Sequence, residues 1–369
     1  MKKILYVVSV LQDKPNSVGN ILDILLSQIS DRIDVQQVVA LEWGNIYGTS
    51  VSNNIRGYKT YVSKEYRRPV RFLMRVQRKL AGKAQIIYNA KHVGNIIDEE
   101  KPDLVVFFVL SPELHYLKLC KKKNIPYVYM LYDTYIARPD LNVDEAFHIE
   151  KQVIDNSSGY FVPRFFCEDY FMHYGADKIT PYDLPLLIPK DDVCAAYQRN
   201  VTNYEYTYFG QIQSFRNADK IQELCKKLGI SMDVFASDPI VASADSVFRI
   251  HPGISGGELY DVVAHSRFLV AFDNSAPYNH YLPSKVYLYV SFTKPVIAFG
   301  DNEDSSLIEF FKDYPWFYYQ NINEDLSGLV EFIKKCNHSF FDENLYSCYT
   351  RFLPDNAMAE IKETIINIL

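Results

Sequence analysis

Short apolar runs alternate with helical segments along nearly the whole chain, and this order limits the possible folds more than any other feature. Ile4–Val10, Val35–Leu41, Leu104–Val109, Tyr127–Leu131 and Tyr160–Val162 read as buried strands. Helices are expected between them, from Ser17 to about Ser30 and over Gln85–Glu100, Pro112–Lys123, Asp144–Ser157 and Glu168–Tyr174. Continuous apolar strands belong to sheets covered on both faces. A strand, a helix and a further strand in sequence predict a parallel sheet with right-handed crossovers. The pattern lapses from Pro181 to Thr202, where Pro181, Pro185 and Pro189 fall without a helical period. It then restarts with strand Thr207–Gly210, helix Ala218–Leu228, strands Met232–Ala236 and Val247–Ile250, helix Gly257–His265 and strand Phe268–Phe272. A chain of 369 residues is long enough for two such domains. We expect them at 1–188 and 203–345, joined by a linker at 189–202 and followed by a helical segment at 346–369 that breaks near Pro354.

One stretch of the second domain combines fold and chemistry. Asn279–Gly300 reads as loop, helix, tight turn and buried strand. Leu282-Pro283-Ser284 is a helix-start signal, with the Ser284 hydroxyl able to cap free N–H groups. Lys294-Pro295 ends the helix, and Val296-Ile297-Ala298-Phe299 has the density of a central parallel strand. A helix start carrying Ser284 and Lys285 at the mouth of an α/β sheet suits an anion. An ordinary αβ unit with a solvated lysine is the other reading of the same residues. Gly19, at the first strand-to-helix turn, lets a ligand approach the backbone, but no GxGxxG fingerprint surrounds it.

Charge divides the chain. Residues 1–180 hold 24 Lys and Arg against 20 Asp and Glu, and residues 181–369 hold 15 against 25. The net charge of −6 argues against a nucleic-acid partner. Within the first half, Lys64–Lys83 has eight basic residues and only Glu65 as an acid. Phe72, Leu73, Val76 and Leu80 fall on one helical face, with Arg71, Arg75, Arg78 and Lys79 largely off it. Such a helix can lie in an anionic membrane interface, or pack its stripe on the domain with the arginines in water. No apolar run approaches the roughly 18 residues of a membrane span, and Met-Lys-Lys before Ile4 introduces a first strand rather than a signal peptide. The six cysteines (Cys120, Cys167, Cys194, Cys225, Cys336 and Cys348) form no CxxC pair. They read as reduced thiols of a cytoplasmic protein, neither a disulfide framework nor a zinc site. If the basic helix docks, the protein works at the inner face of the cytoplasmic membrane.

Four pieces of the chain resemble the GT-B nucleotide-sugar glycosyltransferases, most closely the glycosyltransferase family four group and relatives acting on bacterial surface polysaccharides. Phe209-Gly210-Gln211-Ile212 through Arg216-Asn217 is similar to the glycine turn and basic residue that open their second domain. Val247–Phe272, with Gly253, Glu258-Leu259 and Phe268-Leu269-Val270, has the spacing of their nucleotide-binding region. Pro283-Ser284-Lys285 through Lys294-Pro295-Val296-Ile297 resembles their PSK…GKPVI segment, and Pro126–Asp133 their strand ending in His-Asp. The resemblance implies a GT-B fold, two Rossmann-like parallel-sheet domains facing a cleft, with a C-terminal helix crossing back to the first. It implies that Arg216 and Lys285 hold a diphosphate with Ser284, that Gly19 lets the first domain close on the donor, and that Asp133 sits at the sugar or acceptor. Gly210, Gln211, Gly253, Glu258, His280 and Leu288 complete the implied donor site. The substrate would be a UDP-linked sugar and the acceptor a lipid-linked glycan, with retention of configuration and no bound metal or other cofactor.

The chain departs from that pattern at several places. His280 and Leu288 stand where family four has two glutamates, Gln211 replaces an arginine, Tyr132 a histidine and Thr293 a glycine. Leu288-Tyr289 is instead similar to the bacterial galactofuranosyl- and glucosyltransferase relatives. Two other functions fit the same outline: a non-catalytic GT-B scaffold, and a GT-B sugar-nucleotide epimerase.

Overall fold

The computed structural model describes residues 1–8, 17–30, 34–41, 54–55, 58–62, 78–109, 114–132, 142–175, 177–212, 216–236, 246–275, 282–336 and 340–369. Within these it describes all side chains except those of 17–20, 41, 54, 55, 62, 78–88, 143, 167 and 169. The chain forms two compact units, Met1–Pro185 with Pro354–Leu369, and Leu186–Leu353.

The first unit holds β1 (Lys2–Val8), α1 (Ser17–Ser30), β2 (Val35–Leu41), β3 (Asn54–Ile55), β4 (Tyr58–Val62), α2 (Arg78–Glu100), β5 (Leu104–Phe108), α3 (Leu114–Lys123), β6 (Tyr127–Met130), α4 (Val143–Asn156), β7 (Gly159–Pro163), α5 (Cys167–Tyr174) and β8 (Ile179–Tyr182). Its sheet has the order β3-β4-β2-β1-β5-β6-β7-β8, parallel throughout except for the β3–β4 pair. The apolar runs are strands because both faces are covered. Leu5, Val7, Val105, Phe107, Tyr129, Tyr160 and Val162 join one buried cluster with Val93 and Ile97 of α2 and Val153 of α4. Residues of opposite parity, such as Ile4, Val106, Val128 and Phe161, are equally buried on the other face.

The second unit holds α6 (Lys190–Tyr197), β9 (Tyr204–Phe209), α7 (Ala218–Leu228), β10 (Met232–Ala236), β11 (Phe248–Pro252), α8 (Gly256–Ala264), β12 (Ser266–Phe272), α9 (Lys285–Ser291), β13 (Val296–Gly300), α10 (Ser306–Phe310), β14 (Phe317–Asn321), α11 (Ser327–Lys335) and α12 (Glu343–Ser347). Its sheet is wholly parallel, in the order β11-β10-β9-β12-β13-β14. Counted from its own first strand the order is 3-2-1-4-5-6, so the winding reverses between β9 and β12. The remaining helices, α13 (Pro354–Ala357) and α14 (Ala359–Ile368), return to the first unit. Buried Lys362 of α14 donates to Gln28 Oε1 of α1 at 2.6 Å, and Gln28 Nε2 donates to Asp355 Oδ1 at 2.6 Å. Arg164 pairs with Asp183 and with Glu360. Ile361 and Ile365 are fully buried.

Several expectations need correction. The segment 189–202 is no bare linker. It carries α6, whose Val193 and Ala196 are buried, with Pro189 at its N-cap and Asp191 and Asp192 in its first turn. A proline there leaves the helix intact because the first N–H groups have no intrahelical acceptor. Tyr197, at the end of α6, donates to the Phe292 carbonyl at 2.8 Å and carries the Lys294 ammonium 4.8 Å above its ring. Pro181 likewise sits inside β8, an edge strand, where a missing donor is tolerated. The break expected near Pro354 is present: a 3-10 turn at Thr350–Phe352 precedes it, and Pro354 opens the helix that follows. Thr293, which replaces the glycine of the resembled family, has φ of 50°. That left-handed backbone explains the glycine elsewhere, and here the Thr293 hydroxyl accepts from the Asp342 N–H at 2.9 Å. Among the described residues no helix is long and apolar enough to cross a membrane.

Candidate functional site

In a parallel sheet every strand ends at the same edge, and ligands gather where the winding reverses. In the second unit that edge is built by the residues following β9 and β12. The β9 strand runs into Gly210, whose N–H continues the ladder to the Phe235 carbonyl at 3.0 Å and whose φ is 132°. An added Cβ would strain that backbone and stand 3.4 Å from the Tyr208 hydroxyl. Arg216 lies two residues before α7.

Arg216 spans the reversal point. Its Nε donates to Asn274 Oδ1, two residues past β12, at 3.0 Å. One terminal nitrogen donates to the Tyr208 hydroxyl at 2.8 Å and to the Gln211 carbonyl at 2.9 Å. Tyr208 also donates to the Gln211 carbonyl at 2.8 Å and stacks on Phe272 at 4.2 Å. These three acceptors are neutral and orient the guanidinium without themselves carrying a counter-charge. Asn217, beside it, has φ of 49° and donates to Asp301 Oδ2 at 2.9 Å, an oxygen that also accepts from Ser275 at 2.9 Å.

Lys285 opens α9, whose start lies at the same edge because α9 leads from the end of β12 back to the beginning of β13. Burial holds its ammonium below the usual lysine range. No described residue makes a hydrogen bond or ion pair with it. Tyr289 lies four residues on, on the same helical face. Its hydroxyl donates to the Val270 carbonyl of β12 at 2.9 Å, and it is close enough to feel the Arg216 charge. Through Tyr289 the Lys285 face of α9 is tied to the Arg216 neighbourhood.

The predicted residues therefore separate. Gly210, Gln211 and Arg216 converge at the reversal point, with Lys285 on the adjoining helix. Ser284 precedes Lys285 but makes no capping hydrogen bond through its side chain, having helical dihedrals itself. Leu288 is buried in the packing of α9. Gly253 follows β11, and Glu258 lies exposed in the first turn of α8. With β11 two strands from β9, that end of the site is about 10 Å away along the sheet. Gly19 lies in the first turns of α1, in the other unit. Arg78 and Lys79 begin α2, their side chains outside the described set. Asp133, His280, Arg71 and Arg75 lie outside the described residues.

Sequence reasoning missed the carboxylates and amides of the β12 and β13 ends. Asp273, 1% exposed, accepts from the Asn274 N–H at 2.8 Å and from the Tyr319 hydroxyl at 2.9 Å. Burial raises its carboxyl above the ordinary range. Gly300 makes room for this contact, since a Cβ there would lie 2.1 Å from the Tyr319 hydroxyl and 2.8 Å from the Asp273 Cβ. The available signal was Asp273-Asn274-Ser275 directly after an apolar strand, a polar cluster at a strand end.

No family model matches the chain, and no curated protein matches it. Solved structures do. UDP-GlcNAc 2-epimerase from Methanocaldococcus jannaschii superposes over 99% of this chain and 99% of its own, at 12% identity and a TM-score of 0.58. The fold is GT-B. The catalytic domain of starch synthase IV from Arabidopsis thaliana, bound to ADP and acarbose, covers 100% of this chain and 98% of its own, at 9% identity and a TM-score of 0.60. Sucrose-phosphate synthase from Thermosynechococcus elongatus covers 100% and 95%, at 10% identity and a TM-score of 0.61. At such identities the likeness is one of fold. GT-B neighbours thus include both glycosyltransferases and epimerases.

Proposed function

We propose that this GT-B chain is a glycosyltransferase that moves a sugar from a nucleoside diphosphate donor to a carbohydrate acceptor. The observation that carries the reading is two cations of the second unit, Arg216 oriented by Asn274, Tyr208 and Gln211, and Lys285 partly buried with no counter-charge among the described residues. A departing nucleoside diphosphate gains negative charge as its bond to the sugar breaks. Fixed cations aimed at that charge lower the barrier without reorganising. Arg216 and Lys285 are the residues assigned to the diphosphate, with Ser284 beside them.

The finer reading has the donor UDP-linked, the acceptor a lipid-linked glycan of a bacterial surface polysaccharide, and the configuration retained. Neighbours of this fold were solved with UDP or UDP-GlcNAc bound, which supports a donor of that class. In a retaining reaction the leaving phosphate takes the acceptor proton, so no side-chain base is required. In an inverting one Asp133 is the base. Arg71, Arg75, Arg78 and Lys79 bring the first unit to an anionic membrane. Liposome flotation with Arg71, Arg75 and Arg78 changed to Glu tests that contact, and unaltered binding to anionic vesicles counts against it.

A second reading is a sugar-nucleotide epimerase, favoured by the full-length match to UDP-GlcNAc 2-epimerase structures. A donor screen with products weighed and separated by mass spectrometry and chromatography distinguishes the two. Transfer to an acceptor or to water with release of nucleoside diphosphate supports the transferase. An isomer of unchanged mass supports the epimerase. Neither product from any donor leaves a scaffold.

A further inference from the structure

We propose that Asn274 is the positioning residue that sets the Arg216 guanidinium for an anion at the reversal point of the second sheet. The inference rests on the reading of Arg216 as a diphosphate ligand and adds how that ligand is held. Arginine has a long, flexible side chain, so an unsupported guanidinium must be ordered by the ligand at the expense of affinity. Here it is ordered beforehand from two strands: Asn274 Oδ1 takes Nε at 3.0 Å, while the Tyr208 hydroxyl and Gln211 carbonyl take a terminal nitrogen.

Asn274 is itself fixed. It is 3% exposed, and its N–H donates to Asp273 Oδ1 at 2.8 Å. The Asp273 N–H continues the sheet to the Phe299 carbonyl of β13 at 2.9 Å, and its carboxyl is held by Tyr319 of β14. Gly300 lets Tyr319 and Asp273 meet, since an added Cβ would clash with both. Three neighbouring strands therefore fix the backbone from which that oxygen extends.

The choice of an amide matters as much as its place. An aspartate of the same shape would grip the guanidinium at least as firmly, yet would neutralise it and repel an anion. An asparagine oxygen orients the cation without adding a negative charge of its own. A carboxylate here would also stand beside the buried Asp273, whereas the amide adds no charge to that neighbourhood.

The test is calorimetry on the full chain with UDP, ADP and GDP, and with the nucleoside of whichever binds, for wild type, Asn274→Ala, Asn274→Asp, Arg216→Ala and the Asn274→Ala/Arg216→Ala double variant. Thermal unfolding without nucleotide accompanies each. We expect Asn274→Ala to weaken diphosphate binding about tenfold while leaving nucleoside binding unchanged. Asn274→Asp should weaken it more. In the Arg216→Ala background Asn274→Ala should have no further effect. Wild-type affinity in Asn274→Asp, or an undiminished Asn274→Ala penalty without Arg216, overturns the positioning role and leaves Arg216 as a ligand. Failure of wild type to bind any of the three diphosphates removes the parent reading, and this inference with it.

Discussion

Glu150 offers a prediction independent of any ligand. It lies in α4, 0% exposed, and accepts from the Tyr160 hydroxyl at 2.5 Å, Tyr174 at 2.6 Å and Tyr170 at 2.9 Å. Burial raises its pKa from 4.5 to about 7, outweighing the three hydroxyls and the nearby His173, which favour the ionised form. The folded first unit thus binds a proton that the unfolded chain has released between these two values. Stability attributable to Glu150 is complete below pH 4.5 and is lost as pH rises to about 7. A displacement of that size corresponds to about 3 kcal/mol. Glu150→Gln cannot ionise, so its first unit should lack this decline. Urea unfolding of both proteins at pH 5, 6, 7 and 8, followed by hydrogen exchange of β6 and β7 peptides, reads the difference. We expect wild type minus variant to fall by about 2.5 kcal/mol from pH 5 to pH 8. A difference constant within about 1 kcal/mol across the range would refute the reasoning, because Glu150 would then titrate alike in both states.

Two further perturbations probe the frame around the site. Gly300→Ala drives a methyl group into Tyr319 and Asp273. It should cost the second unit about 2–4 kcal/mol through overpacking and a lost hydrogen bond, seen as a lower melting temperature, and a loss below about 1 kcal/mol would show the contact to be soft. Deleting 354–369 strips Ile361 and Ile365 from the first unit, about 1.5–3 kcal/mol each, along with the Lys362–Gln28 and Arg164–Glu360 contacts. The truncated chain should lose exchange protection in β7 and β8 while keeping it in β12 and β13; protection unchanged in both would mean the segment is dispensable.

Much of the architecture was legible because parallel sheets buried on both faces write themselves as apolar runs. β2, β10 and α7 have the boundaries that the pattern predicts. Prolines misled where position, not residue type, decides the outcome: Pro181 lies in an edge strand and Pro189 caps a helix, so 179–197 contains two elements instead of a bare connection. From Asp301 to Asp342 three elements, α10, β14 and α11, went unread. β14 is an edge strand with only Gln320 buried, too mixed in polarity to stand out. At the site, Gly210 and Arg216 announced themselves through a local turn. Asn274 could not, because its importance depends on β12 lying beside β9, a pairing between residues about sixty positions apart. Only the reversal of strand order, a property of the assembled sheet, brings it to Arg216.

The account rests on the second unit binding a nucleoside diphosphate through Arg216 and Lys285. Titration calorimetry of wild type and Lys285→Ala with UDP, ADP and GDP measures this directly. Wild type should bind at least one of them, and removal of Lys285 should weaken that binding roughly 10- to 100-fold, the worth of a hydrogen bond between charged groups in a partly buried site. Equal affinity in the two proteins would contradict the assignment of Lys285, and no binding of any diphosphate to wild type would contradict the account as a whole.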